Sequence, residues 1–321
     1  MNDSSATQVH DLAERLETAV ASVFIGSRDV IRQAVTGLLG SLHILIEDIP
    51  GVGKTTLALA LAKSAGLTFS RIQFTPDMLP GDVLGMQIWD QALHDFVWKD
   101  GPVNAQFILA DELNRTSPRT QAAFLEAMQD GAITIQGETK PLPQPFFMIG
   151  TQNPESFTGT FPLPEAELDR FGLSFSIGYP SPEGEAAILS LRHDAGKNTA
   201  LDSLKPVASA DDIVTARRLV SDTYISDTVR DYIVSLVRSS RSNDLIRIGA
   251  SPRAAIFLQQ AAKARAAIEG RNFVMPEDVD AMAESVLAHR ILLSSKARIA
   301  RQSPAACVRT LVAAQQKPAG V

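Results

Sequence analysis

Between residues 42 and 65 the chain dictates its local structure more tightly than anywhere else. Leu42-His43-Ile44-Leu45-Ile46 is a short β-type run, residues 47–54 are turn-rich, and Thr55 to Ala65 reads as a helix stopped by Gly66. Strand, glycine-rich turn and helix follow in that order. The turn is Glu47-Asp48-Ile49-Pro50-Gly51-Val52-Gly53-Lys54-Thr55. Glycines let backbone N–H groups approach an anion closely, and the helix that follows turns its positive dipole end toward the same point. Lys54 adds a point charge and Thr55 a hydroxyl able to ligate Mg²⁺. Pro50, Gly51, Val52, Gly53, Lys54, Thr55 and Thr56 are therefore the candidate contacts for the phosphates of ATP. One position departs from the general spacing G-x-x-x-x-G-K-[ST]: Asp48 stands where glycine is usual. Asp tolerates the left-handed conformation better than most residues, so the turn can still form, with its carboxylate and that of Glu47 turned away from a nucleotide. Taken alone, the run is also compatible with a Gly-Lys turn that binds nothing.

A second constellation favours the nucleotide reading. Phe107-Ile108-Leu109-Ala110 is an apolar strand ending in Asp111 and Glu112. Hydrolysis of ATP needs one carboxylate near Mg²⁺ and another to orient and deprotonate water, tasks that suit Asp111 and Glu112 respectively. Asn153 closes the next apolar strand, Ile149-Gly150-Thr151-Gln152. Ligands of parallel sheets sit at the carboxyl ends of the strands, so Asn153 is expected beside Glu112, where an amide can fix the attacking water. A plain turn asparagine before Pro154 is the other reading. Arg170, in Leu168-Asp169-Arg170-Phe171, is either a surface arginine or an arginine finger for a neighbouring subunit. Arg253 follows Ser251-Pro252 in a helix start, and Ser117-Pro118-Arg119 repeats that tripeptide, so the tripeptide alone says only that a helix begins.

Strands expected at 67–74, 107–110, 146–151 and 173–177 alternate with helical or irregular segments, which predicts a parallel sheet wrapped by helices. The segment 77–100 is rich in glycine, proline and aromatics and reads as an insertion, and residues 132–143 read as a hairpin. Gly178-Tyr179-Pro180-Ser181-Pro182-Glu183-Gly184 breaks both helix and strand, which sets a domain boundary near residue 180. An α/β core is expected over 1–180 and a smaller all-α domain over 181–321, its tail loose after about Ser303. The 321 residues suffice for two such domains. A formal net charge of −6 disfavours broad charge-driven binding to nucleic acid or anionic membrane. The single cysteine, Cys307, cannot form an internal disulfide. With no signal pattern and no apolar run of about 20 residues, a cytoplasmic protein with no membrane span is expected.

Taken together, these motifs resemble the MoxR family of AAA+ ATPases from about Phe24-Ile25-Gly26 to His289-Arg290. The resemblance rests on the loop from Glu47 to Thr55, which tolerates Asp48, and on Leu109-Ala110-Asp111-Glu112-Leu113-Asn114-Arg115. Leu125-Glu126-Ala127-Met128, Thr151-Gln152-Asn153-Pro154, the run Leu163 to Phe171, and Ala250-Ser251-Pro252-Arg253-Ala254 complete it. It implies an AAA+ P-loop core with a helical lid, ATP and Mg²⁺ as cofactors, Asn153 as sensor 1, Arg170 as arginine finger and Arg253 as sensor 2. Residues 77–100 then correspond to the family's helix-2 insertion, where Gly81 replaces the usual serine, and 132–143 to its pre-sensor hairpin. The resemblance further implies a homo-hexameric ring, chaperone-like maturation of client complexes including metal-cofactor insertion, and a von Willebrand factor A domain partner. Two other classes remain open at this point: a nucleotide-switched binding scaffold with slow hydrolysis, and a nucleic-acid motor, which the acidic balance disfavours.

Overall fold

The computed structural model describes residues 3–135, 137–153, 159–194 and 200–318. Pro154, part of the motif around Asn153, lies outside them. Five strands form one parallel sheet: β1 (Ile44–Glu47), β2 (Phe69–Gln73), β3 (Phe107–Asp111), β4 (Phe147–Gln152) and β5 (Leu173–Phe175). Their order across the sheet is β2-β3-β4-β1-β5. Register is set by pairs such as Ile44 with Ile149 and Leu173, and Leu109 with Ile149 and Arg71. The inner strands β1, β3 and β4 are apolar nearly throughout because both faces are covered, whereas the edge strand β2 exposes Arg71 and Gln73.

Side chains alternate between those faces with a period of two. Ile44, Ile46, Phe107, Leu109, Phe147 and Ile149 face one buried cluster, whereas Leu45, Ile72, Ile108, Ala110 and Met148 face the other. On the first side lie α1 (Asp3–Ala21), α2 (Arg28–Leu39) and α3 (Lys54–Ser64); on the second, α4 (Pro118–Asp130). Ser27 caps α2 by accepting the Asp29 N–H, and Ser117 caps α4 by accepting that of Thr120.

The chain leaves the sheet after Phe175 and is mainly helical from Pro182 onward. Its helices there include α5 (Pro252–Ile268), capped by Ser251 and started by Pro252 as expected, and α6 (Pro276–Leu287), which also starts on a proline. These helices join the apolar cluster that also holds α1, α2 and α3, so core and lid share one buried mass. Two expectations are corrected here. The lid is not wholly α, because Ile246–Ile248 and Leu292–Leu293 form a small antiparallel ribbon. Nor is the described part of the tail loose: Pro304–Ala314 is a helix, α7, capped by Ser303 and buried through Cys307, Val308 and Leu311, and residues 319–321 lie outside the described residues. Its start signal, Ser303-Pro304, equals that of α5; burial of its apolar side decides the rest.

Residues 77–100 form a short helix, Pro80–Leu84, and a hairpin of Gly85–Asp90 with Asp95–Asp100. A second hairpin pairs Ala132–Ile135 with Glu138–Pro141. The two are joined through Lys140 with Asp100 and Gln87 with Glu138. Among the described residues no helix is long and apolar enough to cross a membrane.

Candidate active site

β1 ends at Glu47 and α3 starts at Lys54. In the turn between them Gly51 and Gly53 stand at φ +90° and +94°. Side chains rarely adopt that region, so glycine is required by the backbone itself. A Cβ on Gly51 meets nothing within 4 Å, which leaves room beside the loop. Gly53 caps α3 without a side-chain bond, so the first N–H groups of α3 remain available as donors. Val52 is buried, and Thr55 and Thr56 are half-buried in the first turn. Lys54 donates from Nζ to the Asp48 carbonyl. Burial lowers the pKa of its ammonium, while Asp48, Asp111 and Glu112 act in the opposite direction. Those carboxylates are therefore within electrostatic reach of the loop lysine.

Asp48 has a different reason for its place than the one expected. It is not among the residues with positive φ. Its Oδ2 accepts the N–H groups of Ile177 and Gly178, both at 2.7 Å, and its Oδ1 accepts that of Ile49 at 2.8 Å. The carboxylate thus points away from the loop's open side and ties the loop to the segment that leads into the lid. Glu47 accepts from Gln152 on β4 and is likewise engaged on the sheet.

The carboxylates of β3 stand at the same end of the sheet. Thr151 on β4 links them: its hydroxyl donates to Asp111 Oδ1 at 2.7 Å and accepts the Glu112 N–H at 2.9 Å. Asp111 Oδ2 accepts from Arg71 at 2.7 Å. Glu112 has φ 55° and ψ 48°, a left-handed conformation that costs a non-glycine residue of the order of 1–3 kcal/mol and is typical of functional positions. Its Oε2 accepts from Gln73 and from Arg115, each at 2.9 Å. Thr151 and Arg115 stood inside the quoted motifs without a role, and Gln73 and Arg71 escaped the sequence reading. Position at a strand end was the available signal for Thr151 and Gln73. Asn153 closes β4 beside this pair, and its carbonyl accepts from Asn114 at 3.3 Å.

The two arginines are not with the loop. Arg170 lies two residues before Gly172, whose N–H bonds the His43 carbonyl at the amino end of β1. The loop follows the carboxyl end of β1. The four residues of β1 separate those ends by about 13 Å at ~3.3 Å per residue. Arg170 Nη1 is buried and has no hydrogen-bond partner among the described residues. Beside it, burial raises the pKa of Glu167, and the Arg170 charge opposes that rise. Arg253 groups with Arg170, because Ser251, two residues ahead of it, donates to the carboxylate of Asp169 at 2.9 Å. Thus Gly51, Gly53, Lys54, Asp111, Glu112 and Asn153 occupy one end of the sheet, and Arg170 and Arg253 stand apart from it.

This arrangement has close counterparts among known proteins. Residues 43–173 match the ATPase family associated with various cellular activities (AAA), and residues 238–311 match the AAA lid domain. YeaC of Bacillus subtilis is 41% identical over 310 residues, covering 97% of this chain and 96% of that protein. The chaperone MoxR1 of Mycobacterium tuberculosis is 37% identical over 308 residues, covering 93% of this chain and 80% of that one. A crystal structure of a Cytophaga hutchinsonii protein assigned to the ATPases superposes with a TM-score of 0.89 at 34% identity, covering 98% and 97% of the two chains. With the strand order, the glycine loop and the paired carboxylates in place, these likenesses establish that the chain belongs to the MoxR family of AAA+ ATPases.

Proposed function

We propose that the chain hydrolyses ATP with Mg²⁺ in a homo-hexameric ring and uses the cycle to remodel or mature a partner protein complex. The observation that carries this reading is the grouping of Lys54, Asp111 and Glu112 at one end of the sheet, with Thr151 bonded to both carboxylate residues. The left-handed Gly51 and Gly53 and the open space at Gly51 suit a phosphate chain. Pro50 to Thr56 line it, and Lys54 neutralises its charge. Thr55 and Asp111 would hold Mg²⁺, which would offset the negative charge of the phosphate groups when bound. Glu112 takes the proton of the attacking water as the water oxygen bonds to the γ-phosphorus and the β–γ bridging oxygen departs with ADP. Asn153 orients that water. Arg170 and Arg253, remote from their own loop, serve the γ-phosphate of an adjacent copy. A finger of this kind is worth ~10³–10⁵ in kcat.

The name chaperone borne by the Mycobacterium tuberculosis relative supports a remodelling role. Metal-cofactor insertion, a von Willebrand factor A domain partner and a cytoplasmic setting follow from the family reading. The test is a pair of variants. Lys54→Ala abolishes ATP binding, and Glu112→Gln binds ATP while its turnover falls by about 100-fold or more. Wild-type turnover in Glu112→Gln sinks the role given to that carboxylate.

A second reading, a nucleotide-switched scaffold with slow hydrolysis, draws support from one observation: Gln73 and Arg115 both hold the Glu112 carboxylate. Partner remodelling that proceeds fully with a non-hydrolysable ATP analogue selects this reading over the first.

A further inference from the structure

Arg170 and Arg253 belong to segments far apart in the chain, yet one carboxylate joins them. Asp169 directly precedes Arg170. Its Oδ2 and Oδ1 accept from the Ser251 hydroxyl at 2.9 and 3.1 Å. The same hydroxyl accepts the Ala254 N–H and so caps α5, the helix that carries Arg253. Arg290 completes the group. Its Nε donates to Asp169 Oδ1 at 2.9 Å. Its Nη1 donates to the carbonyls of Gly172 at 3.3 Å and of Val286, and its Nη2 to those of Asp169 at 3.4 Å and of Phe171. The planar fork thereby holds the backbone on both sides of Arg170. The Arg290 side chain is 1% exposed and lies over the Phe257 ring of α5 at 4.8 Å. His289, next to it, bonds the Phe171 carbonyl from Nε2 at 3.2 Å. No other part of the described lid grips the segment before β5 in this way.

A clamp made only for stability has no need of these partners. Apolar contacts would join the elements without burying a guanidinium, and buried ion pairs are weak sources of stability. What the pair does supply is direction. A guanidinium that bonds one carboxylate oxygen and four backbone carbonyls sets the position of the segment far more narrowly than apolar packing. The residues it positions are the two arginines that stand away from their own phosphate loop.

We propose that Asp169, Ser251 and Arg290 form a clasp that presents Arg170 and Arg253 to the adjacent copy as one rigid unit, with Asp169 and Arg290 as positioning residues for hydrolysis. The proposal rests on the trans-acting reading of Arg170 and Arg253.

The experiment measures kcat, KM for ATP and thermal midpoint in the full-length protein. Asp169→Asn lowers kcat about ten- to hundredfold, the scale set by misplacing a reacting group by about 1 Å, with KM nearly unchanged. In a background lacking both arginines, Arg170→Ala with Arg253→Ala, the same substitution lowers the midpoint equally but takes nothing further from the residual kcat, because its effect runs through those two arginines. Ser251→Asp keeps a good N-cap but sets a carboxylate against Asp169, so kcat falls. Combining Ser251→Asp with Asp169→Asn restores the carboxylate–donor pair with its polarity reversed and recovers most of the activity. That recovery keeps the proposal testable if Asp169→Asn alone folds poorly. Should Arg170→Ala lower kcat while Asp169→Asn and Ser251→Asp leave it at the wild-type value, the clasp is structural only and the proposal falls, with the function of Arg170 intact. Should Arg170→Ala itself leave kcat unchanged, the trans-acting reading falls, and the clasp's role falls with it.

Discussion

The hydroxyl of Thr151 donates to Asp111 at 2.7 Å while accepting the backbone N–H of Glu112 at 2.9 Å. Thr151 is 1% exposed, so water cannot take its place. Thr151→Val keeps the shape and removes both bonds. The Glu112 N–H then lacks its partner, at a cost of about 1–3 kcal/mol in stability. Both carboxylates lose their alignment, and kcat is expected to fall about tenfold or more. Urea melts and steady-state ATPase assays measure the two effects, and Thr151→Ser, which keeps the hydroxyl, should recover most of the activity. Full activity in Thr151→Val counts against any organising role for Thr151.

Asp48 invites a counter-intuitive substitution. Asp48→Gly brings the loop closer to the general phosphate-binding pattern, yet it removes the acceptor for Ile49, Ile177 and Gly178. Burial of those donors without a partner costs ~1–3 kcal/mol each at most, less where water reaches them. The expected result is a lower thermal midpoint and weaker ATP binding than wild type. A midpoint equal to or above that of wild type shows that the tie between loop and lid segment contributes nothing.

Mixing experiments address the placement of Arg170 at the far end of β1. Alone, the Lys54→Ala protein is expected to be inactive and the Arg170→Ala protein to keep only a residual rate, lower by about 10³-fold or more. In mixed rings, an intact loop from an Arg170→Ala copy meets an intact arginine from a Lys54→Ala copy. About a quarter of interfaces are complete in an equimolar random ring, since such heterologous contacts repeat around the ring. Activity should therefore reappear on mixing and re-assembly. No recovery at any ratio, with mixed rings verified by mass spectrometry, rejects action between copies.

Acid sensitivity follows from His43. Its Nδ1 accepts the Met148 N–H at 3.1 Å, so a proton there would face another donor. Burial, with the charge of Arg217 adding to it, lowers the pKa from the usual histidine value of 6.5 to about 3. The unfolded chain therefore takes up this proton before the folded one does. His43 costs no stability above the unfolded value near 6.5, and stability is lost progressively as the pH falls from there toward about 3. His289 is displaced in the same direction, by burial first and Arg290 second. His43→Asn retains an acceptor near Nδ1 and cannot titrate. Its unfolding free energy should fall less steeply than that of wild type between pH 6 and 4, by a slope approaching ~1 proton. Identical slopes for the two proteins remove His43 from the account.

How much of this was legible beforehand depended on distance along the chain. The caps Ser117 and Ser251 act over three residues, and each behaves as its sequence foretells. The helix after Ser303 carried the same start signal but was read as loose tail. Its order depends on Cys307, Val308 and Leu311 finding cover, which a local pattern does not reveal.

What the sequence determined by itself is the glycine loop with Lys54 and the strand that delivers Asp111 and Glu112. Those features are made of backbone conformation and short-range periodicity, and neighbouring residues alone specify them. The tertiary structure decided that Thr151 links the two carboxylates and that Asp48 reaches Ile177 and Gly178. It also decided that Arg170 and Arg253 meet through Asp169 at the end of the sheet away from their own loop. These are contacts between residues about 40 to 130 positions apart. They depend on strand order and on the parallel course of β1 and β5, which close only when both faces of the sheet are buried.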